Sequence, residues 1–129
     1  MAQASSPACP RKCSCDLVRR VQCYRVGEVP KEIASTTRRI YISHSKIQRV
    51  QVADVLRMSS LEEFVLTCSG TESVEKDTFK ALGALRILEL WKNKLRHVPS
   101  SLPPSLEVLK LGDNLISILH ESDFEGLKT

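Results

Sequence analysis

Residues 85–95 read LRILELWKNKL and decide the fold. Leucines stand at Leu85, Leu88, Leu90 and Leu95, with Asn93 between the last two, giving L-x-x-L-x-L-x-x-N-x-L. Leu88 and Leu90 alternate with Glu89 and Trp91, the pattern of a short strand with its leucines inward. Asn93 follows where the chain turns in and backbone groups lose their strand partners. Its amide both donates and accepts, so a column of such residues can tie successive turns together. One turn of this kind cannot bury its own apolar face, so it predicts copies above and below.

The copies are present. Giving Leu85 position 1, further turns begin at Thr37, Leu61 and Leu106. Position 4 is then Ile40, Phe64, Leu88 and Leu109, and position 6 is Ile42, Leu66, Leu90 and Leu111. Position 9 is Ser45, Ser69, Asn93 and Asn114, with serine the weaker ladder member. Position 11 is Ile47, Thr71, Leu95 and Ile116, and position 14 is Val50, Val74, Val98 and Leu119. Position 19 is Val55, Phe79 and Phe124, and position 22 is Met58, Leu82 and Leu127 in the longer turns. Agreement at this many columns identifies a leucine-rich repeat array. The expected fold class is an α/β-type leucine-rich repeat solenoid of mostly short parallel strands, with little helix and an N-terminal disulfide cap. The third repeat carries VPSSLPPSL over residues 98–106, so its outer side should be extended.

At 129 residues this is one domain at most. Aromatics are scarce at 5%, so the core must be aliphatic. No apolar run approaches the roughly 18 residues needed to span a membrane. Residues 1–49 hold 10 Lys+Arg against 3 Asp+Glu, whereas residues 50–129 hold 9 against 12. The basic half suggests affinity for sulfated polysaccharide or another polyanion, set against the plainer reading of an unevenly charged surface. Nucleic acid would want a uniformly basic stripe and is not expected as a partner. A membrane is not expected either.

Cys9, Cys13, Cys15 and Cys23 crowd the N-terminal side as C-x3-C-x-C-x7-C. Zinc would want two separated pairs and often histidines. Two disulfides fit better, and four cysteines leave three connectivities open. Disulfides imply an oxidising, extracellular setting. Ala2-Gln3-Ala4 resembles the end of a signal peptide that lacks its apolar stretch. The chain also stops at Lys128-Thr129, where a further repeat should begin. We therefore expect a fragment or an incomplete N-terminal portion of a longer protein. The domain reading is a disordered stretch over 1–8, a cysteine-rich cap over 9–36, and about four repeats over 37–129 without a C-terminal cap.

A cysteine cluster of this spacing directly before such repeats resembles the N-terminal cap of secreted leucine-rich repeat proteins. That resemblance implies the pairs Cys9–Cys15 and Cys13–Cys23. The segments CPRKCSC, VQCYR, STTRRIYISHSKIQ, SGTESVEKDTF, LELWKNKLRHVPS and LEVLKLGDN together resemble the small leucine-rich repeat proteoglycans. The resemblance implies a secreted protein of the extracellular matrix. It implies as ligand a growth factor of the TGF-β class, whose signalling would be dampened, or collagen. Alternatives are a structural collagen- or glycosaminoglycan-binding matrix protein working through its basic cap, and a fragment of a leucine-rich repeat receptor ectodomain.

Outward strand positions should form a concave binding face. Its candidate residues are Arg39, Tyr41, His44, Glu63, Glu89, Trp91, Lys92, Lys110 and Asp113. Tyr41 and Trp91 are its aromatics, the residue types that dominate buried interfaces; the plainer reading is that they cover neighbouring aliphatic stems. Cys68 is the odd cysteine, expected to be structurally inert rather than an intermolecular link. Ser69-Gly70 faintly resembles a glycosaminoglycan attachment site. Neither Asn93 nor Asn114 begins an N-glycosylation sequon. His44, His97 and His120 occupy different repeat positions, and no nucleophile–base pair or phosphate loop accompanies them. No catalysis, cofactor or metal site is expected.

Overall fold

Each repeat turns its position 4 and position 6 residues inward, and this alternation places the strands. The computed structural model describes residues 9–117 and Leu119. Strands β1 (Cys13–Cys15), β2 (Arg20–Tyr24) and β3 (Arg39–Ser43) come first, then the two-residue strand β4 (Arg49–Val50) and one helical turn, α1 (Val52–Val55). β5 (Glu63–Thr67), β6 (Ser73–Val74), β7 (Ile87–Glu89) and β8 (Val108–Lys110) follow. The main sheet runs β1-β2-β3-β5-β7-β8, and a second sheet of two strands pairs β4 with β6 on the opposite side of the coil. Among the described strands only the β1–β2 pair is antiparallel; the remaining neighbours are parallel.

The register follows the repeat alignment. Ile40 stands opposite Phe64, Phe64 opposite Leu88, and Leu88 opposite Leu109. Ile40, Phe64, Leu66, Leu88 and Leu90 are fully buried, with Leu61 and Leu85 beneath them. Phe64 and Phe79, both fully buried, meet edge to face at 5.3 Å between ring centroids, an arrangement that aromatic quadrupoles favour, so the core is not wholly aliphatic as the low aromatic content suggests. The fold is a leucine-rich repeat solenoid with almost no helix.

The outer side departs from a plain reading of the columns. In repeat 3 it is extended, and Leu102 and Pro103 are buried there, so Leu102 is a core member outside the aligned columns. Leu119, expected inward at position 14, is instead 64% exposed. Helix α1 is a single turn whose first N–H groups are served by carboxylates. The Asp54 carboxylate accepts from the Gln51 N–H at 2.7 Å, and the Glu75 carboxylate of the next repeat accepts from the Val52 N–H at 2.8 Å. Those contacts satisfy N–H groups that a helix start leaves without partners. The expected disordered stretch over 1–8, and Phe124 and Leu127, lie outside the described residues.

Each coil closes on the column at position 9. The Ser45 hydroxyl accepts from the Val26 N–H at 3.0 Å, and the Ser69 hydroxyl accepts from the Ser45 N–H at 3.2 Å. Asn93 Oδ1 accepts from the Ser69 and Thr71 N–H groups at 2.9 and 3.3 Å. Its Nδ2 donates to the carbonyls of Leu66 at 2.8 Å and Leu90 at 2.9 Å. Asn114 repeats the pattern, accepting from Leu95 N–H and donating to Leu90 and Leu111. Just before this column the chain turns through the left-handed region at position 8: φ is 49° at His44, 53° at Cys68, 57° at Lys92 and 56° at Asp113. Arg25, the equivalent cap residue, has φ 58°.

Candidate functional site: the concave sheet face

Outward residues of the parallel strands line up in rows, because strand register carries each repeat position onto the same position of its neighbour. The position 5 row runs Gln22, Tyr41, Val65, Glu89 and Lys110. The position 3 row runs Arg20, Arg39, Glu63, Ile87 and Val108. Strand β2 of the cap therefore extends the concave face with Arg20, Gln22 and Tyr24. The sequence reading counted the face from β3 onward. The alternation of Val21 and Cys23 with Gln22 was the signal available for this extension.

Carboxylates hold two aromatics of the face, Tyr41 and Trp91, in place. The Tyr41 hydroxyl donates to Glu63 Oε1 at 2.9 Å, and Arg39 Nε lies 3.1 Å from Glu63 Oε2. The Arg39 contact is electrostatic and poorly aligned, since that buried nitrogen has no hydrogen-bond partner. Burial raises the Tyr41 pKa above its ordinary 10.0, and the hydrogen bond and charge of Glu63 raise it further. Trp91 Nε1 donates to Glu89 Oε1 at 2.8 Å, and the Lys92 ammonium sits 5.5 Å from the Trp91 ring centroid. Tyr41 and Trp91 stand two strand spacings apart, roughly 10 Å across the sheet. Half-buried Val65, Ile87 and Val108 lie along the strands between and beside them.

The other candidate residues are placed as follows. His44 is exposed at the turn after β3, its ring 5.3 Å from that of Tyr24. Lys110 and Asp113 are exposed at the β8 end. Thr67, at the end of β5, is buried at 5% exposure although the alternation of that strand would turn it outward. Cys68 is half-buried and free. Ser69 is 2% exposed, and its hydroxyl donates to the Thr67 carbonyl at 2.8 Å. A sugar chain at Ser69 would dismantle the column, which removes it as an attachment site. His97 is exposed on a different side of the coil, and His120 lies outside the described residues. No group of three or more His, Cys, Asp or Glu placed to hold a metal occurs among the described residues.

The cap closes the first end of this face. Disulfides join Cys9 to Cys15 and Cys13 to Cys23. At the hairpin turn, Asp16 Oδ1 accepts from the N–H groups of Val18 and Arg20, and Oδ2 pairs with Arg20 Nε at 2.9 Å. Desolvation opposes ionisation of Asp16, but these hydrogen bonds outweigh it and hold the carboxyl below its usual 3.8.

The chain is similar to known leucine-rich repeat proteins along nearly its whole length. It is 59% identical to nephrocan of Mus musculus over 123 residues, 95% of this chain and 24% of that protein. It is 32% identical to decorin of Gallus gallus over 123 residues, 94% of this chain and 34% of decorin. Toll-like receptor 7 of Mus musculus matches at 28% identity over 108 residues, 78% of this chain and 10% of the receptor. No family model matches the chain. The chain thus spans about a quarter to a third of the length of nephrocan and decorin. Its relatives are leucine-rich repeat proteins, and no helix among the described residues is long and apolar enough to cross a membrane.

Proposed function

For a leucine-rich repeat chain similar to the small leucine-rich repeat proteoglycans, we propose a secreted binding module of the extracellular matrix that captures a protein ligand on its concave face. The proposed ligand is a growth factor of the TGF-β class, whose signalling capture would dampen. Collagen is the second protein ligand this reading admits. The observation that supports it is the pair of aromatics, Tyr41 and Trp91, each held by a carboxylate on a rigid sheet. Side chains fixed before binding lose less rotamer freedom on binding, so more of their contact energy survives as affinity. Arg39, Glu63, Glu89, Lys92, Lys110 and Asp113 surround them with mixed charge, which suits the polar rim of a protein interface. His44 stands at the edge of this face. The similarity to a Toll-like receptor supports a receptor-ectodomain reading as well, but at 28% identity against 59% it is the weaker one.

The test is capture of a TGF-β-class dimer by the immobilised, oxidised chain. Trp91→Ala and Tyr41→Ala should each weaken capture by more than about 1 kcal/mol, roughly fivefold or more. Unchanged affinity in both variants would remove the concave face as the binding surface.

A further inference from the structure

The positive charge of the N-terminal half divides once its ion pairs are drawn. Arg20 is tied to Asp16 at 2.9 Å, Arg38 lies 3.9 Å from Glu62, and Arg39 lies 3.1 Å from Glu63. These pairs offset the arginines that flank the concave sheet. Among the described residues of this half, Arg11, Lys12, Arg19, Arg25, Lys31, Lys46 and Arg49 take part in no ion pair, and of these Lys12, Arg25 and Lys46 stand together.

Hydrogen bonds hold these three residues side by side. The Tyr24 N–H donates to the Lys12 carbonyl at 3.0 Å, and the Lys46 N–H donates to the Val26 carbonyl at 3.0 Å. The Lys12 ammonium donates to the Arg25 carbonyl at 3.3 Å. All three cations line one surface hollow together with Gly27, His44 and Ser45, and no carboxylate lines it. Through Lys12 the hollow continues into a second one, lined by Ser14, Gln22, Tyr24, Tyr41 and Ser43, again without a carboxylate. At the far end Lys46 borders a third hollow, where Glu72 stands bonded to Gln48 at 3.3 Å. In the second hollow Tyr24 is 48% exposed, with the Arg25 guanidinium of the first 5.2 Å from its ring centroid.

We propose that this trough binds a sulfated polysaccharide chain, with sulfate groups against Lys12, Arg25 and Lys46. Converging cations without a counter-charge favour an anion, because only one of the charge-assisted hydrogen bonds they offer, from Lys12 to the Arg25 carbonyl, is claimed within the protein and none goes to a carboxylate. The trough is elongated rather than closed, which suits a chain ligand. Within its lining, the hydroxyls of Ser14 and Ser43 and the amide of Gln22 match the hydroxyls of sugars, Val26 and the Cys13–Cys23 disulfide add apolar surface, and the exposed part of the Tyr24 ring offers a sugar a face to lie against. The site shares Tyr41 and His44 with the concave face but not Trp91, and it does not rest on that face capturing a growth factor.

The test compares two variants of equal net charge in the oxidised full chain, Lys12→Gln/Lys46→Gln and Arg11→Gln/Arg19→Gln. Binding is measured on heparin, on desulfated heparin and on polyglutamate at one ionic strength. The first variant should lose about tenfold in heparin affinity and show a flatter salt dependence. The second should lose less than about twofold, and the wild type should bind desulfated heparin and polyglutamate at least about tenfold more weakly than heparin. Equal losses in the two variants would overturn the site in favour of net charge alone. Polyglutamate binding as tight as heparin would overturn the sulfated ligand in favour of an acidic protein segment. Lysine acetylation of the wild-type chain gives a reading that does not depend on a variant folding. Heparin should protect Lys12 and Lys46 while leaving Lys31 and Lys94 reactive, and the reverse pattern would overturn the proposal.

Discussion

At the scale of single residues, the column at position 9 carries the sharpest sequence signal and the sharpest energetic consequence. Serine and asparagine both serve there, but they do different amounts. Ser69 takes one N–H from the preceding coil and gives its proton to its own strand end. Asn93 accepts from two N–H groups and donates to the carbonyls of two successive coils. Asn93→Ala leaves these buried groups without partners, at about 1–3 kcal/mol each. We expect a loss of about 3 kcal/mol or more, read as a lower urea midpoint at unchanged slope; a shift under about 1 kcal/mol would show that water or neighbours replace the amide. Position 8 is the opposite case. Left-handed backbone at Arg25, His44, Cys68 and Lys92 opposes the intrinsic preference of such residues by roughly 1–2 kcal/mol each. No glycine or asparagine advertises that turn, so local sequence gave no sign of it, and the ladder on its far side must hold it.

At the scale of elements, strand pairing converts repeat position into chemistry. Tyr41 on β3 and Glu63 on β5 are 22 residues apart and meet only because the strands pair in register. The Tyr41 proton is held more tightly in the folded chain than in the unfolded one. Stability from this group is therefore complete below pH 10.0 and falls as pH rises from there through the higher folded value. In a Tyr24→Phe background, tyrosinate absorbance should give a Tyr41 midpoint above 10.0, and Glu63→Gln should bring it down part of the way. A midpoint at or below 10.0 would contradict the buried hydrogen bond. The elements themselves were unequally legible. The alternation of inward Leu88 and Leu90 with outward Glu89 and Trp91 is a strand signal that the sequence carries by itself. Helix α1 carries no such mark, because one of its N–H partners is Glu75 of the following repeat.

At the scale of the whole molecule, the cap and the coil form one sheet. β1 covers the edge of β2, and β2 pairs in parallel with β3, so the first repeat presents no open edge on that side. Opening the two disulfides frees the unfolded chain over short loops, at about 2–3 kcal/mol each in the chain-entropy account. Reduction should therefore lower the urea midpoint clearly and expose Val21 and Ile40 to a hydrophobic dye, whereas an unchanged midpoint would mean that the cap adds nothing to the solenoid. The columns of apolar residues determined the inner core, the strand register and the concave rows, because burying Ile40, Phe64 and Leu88 requires the same spacing in every coil. They also placed Tyr41 and Trp91 on the outward side. Only the tertiary structure decided which charges are neutralised, that Arg20 is claimed by Asp16 while Lys12, Arg25 and Lys46 stand together, and that the cap lengthens the concave face. Burial follows a period that one chain shows by itself. Charge pairing depends on which residues of neighbouring coils, or of a hairpin turn, come within a few ångströms, and that is set by the winding of the coil.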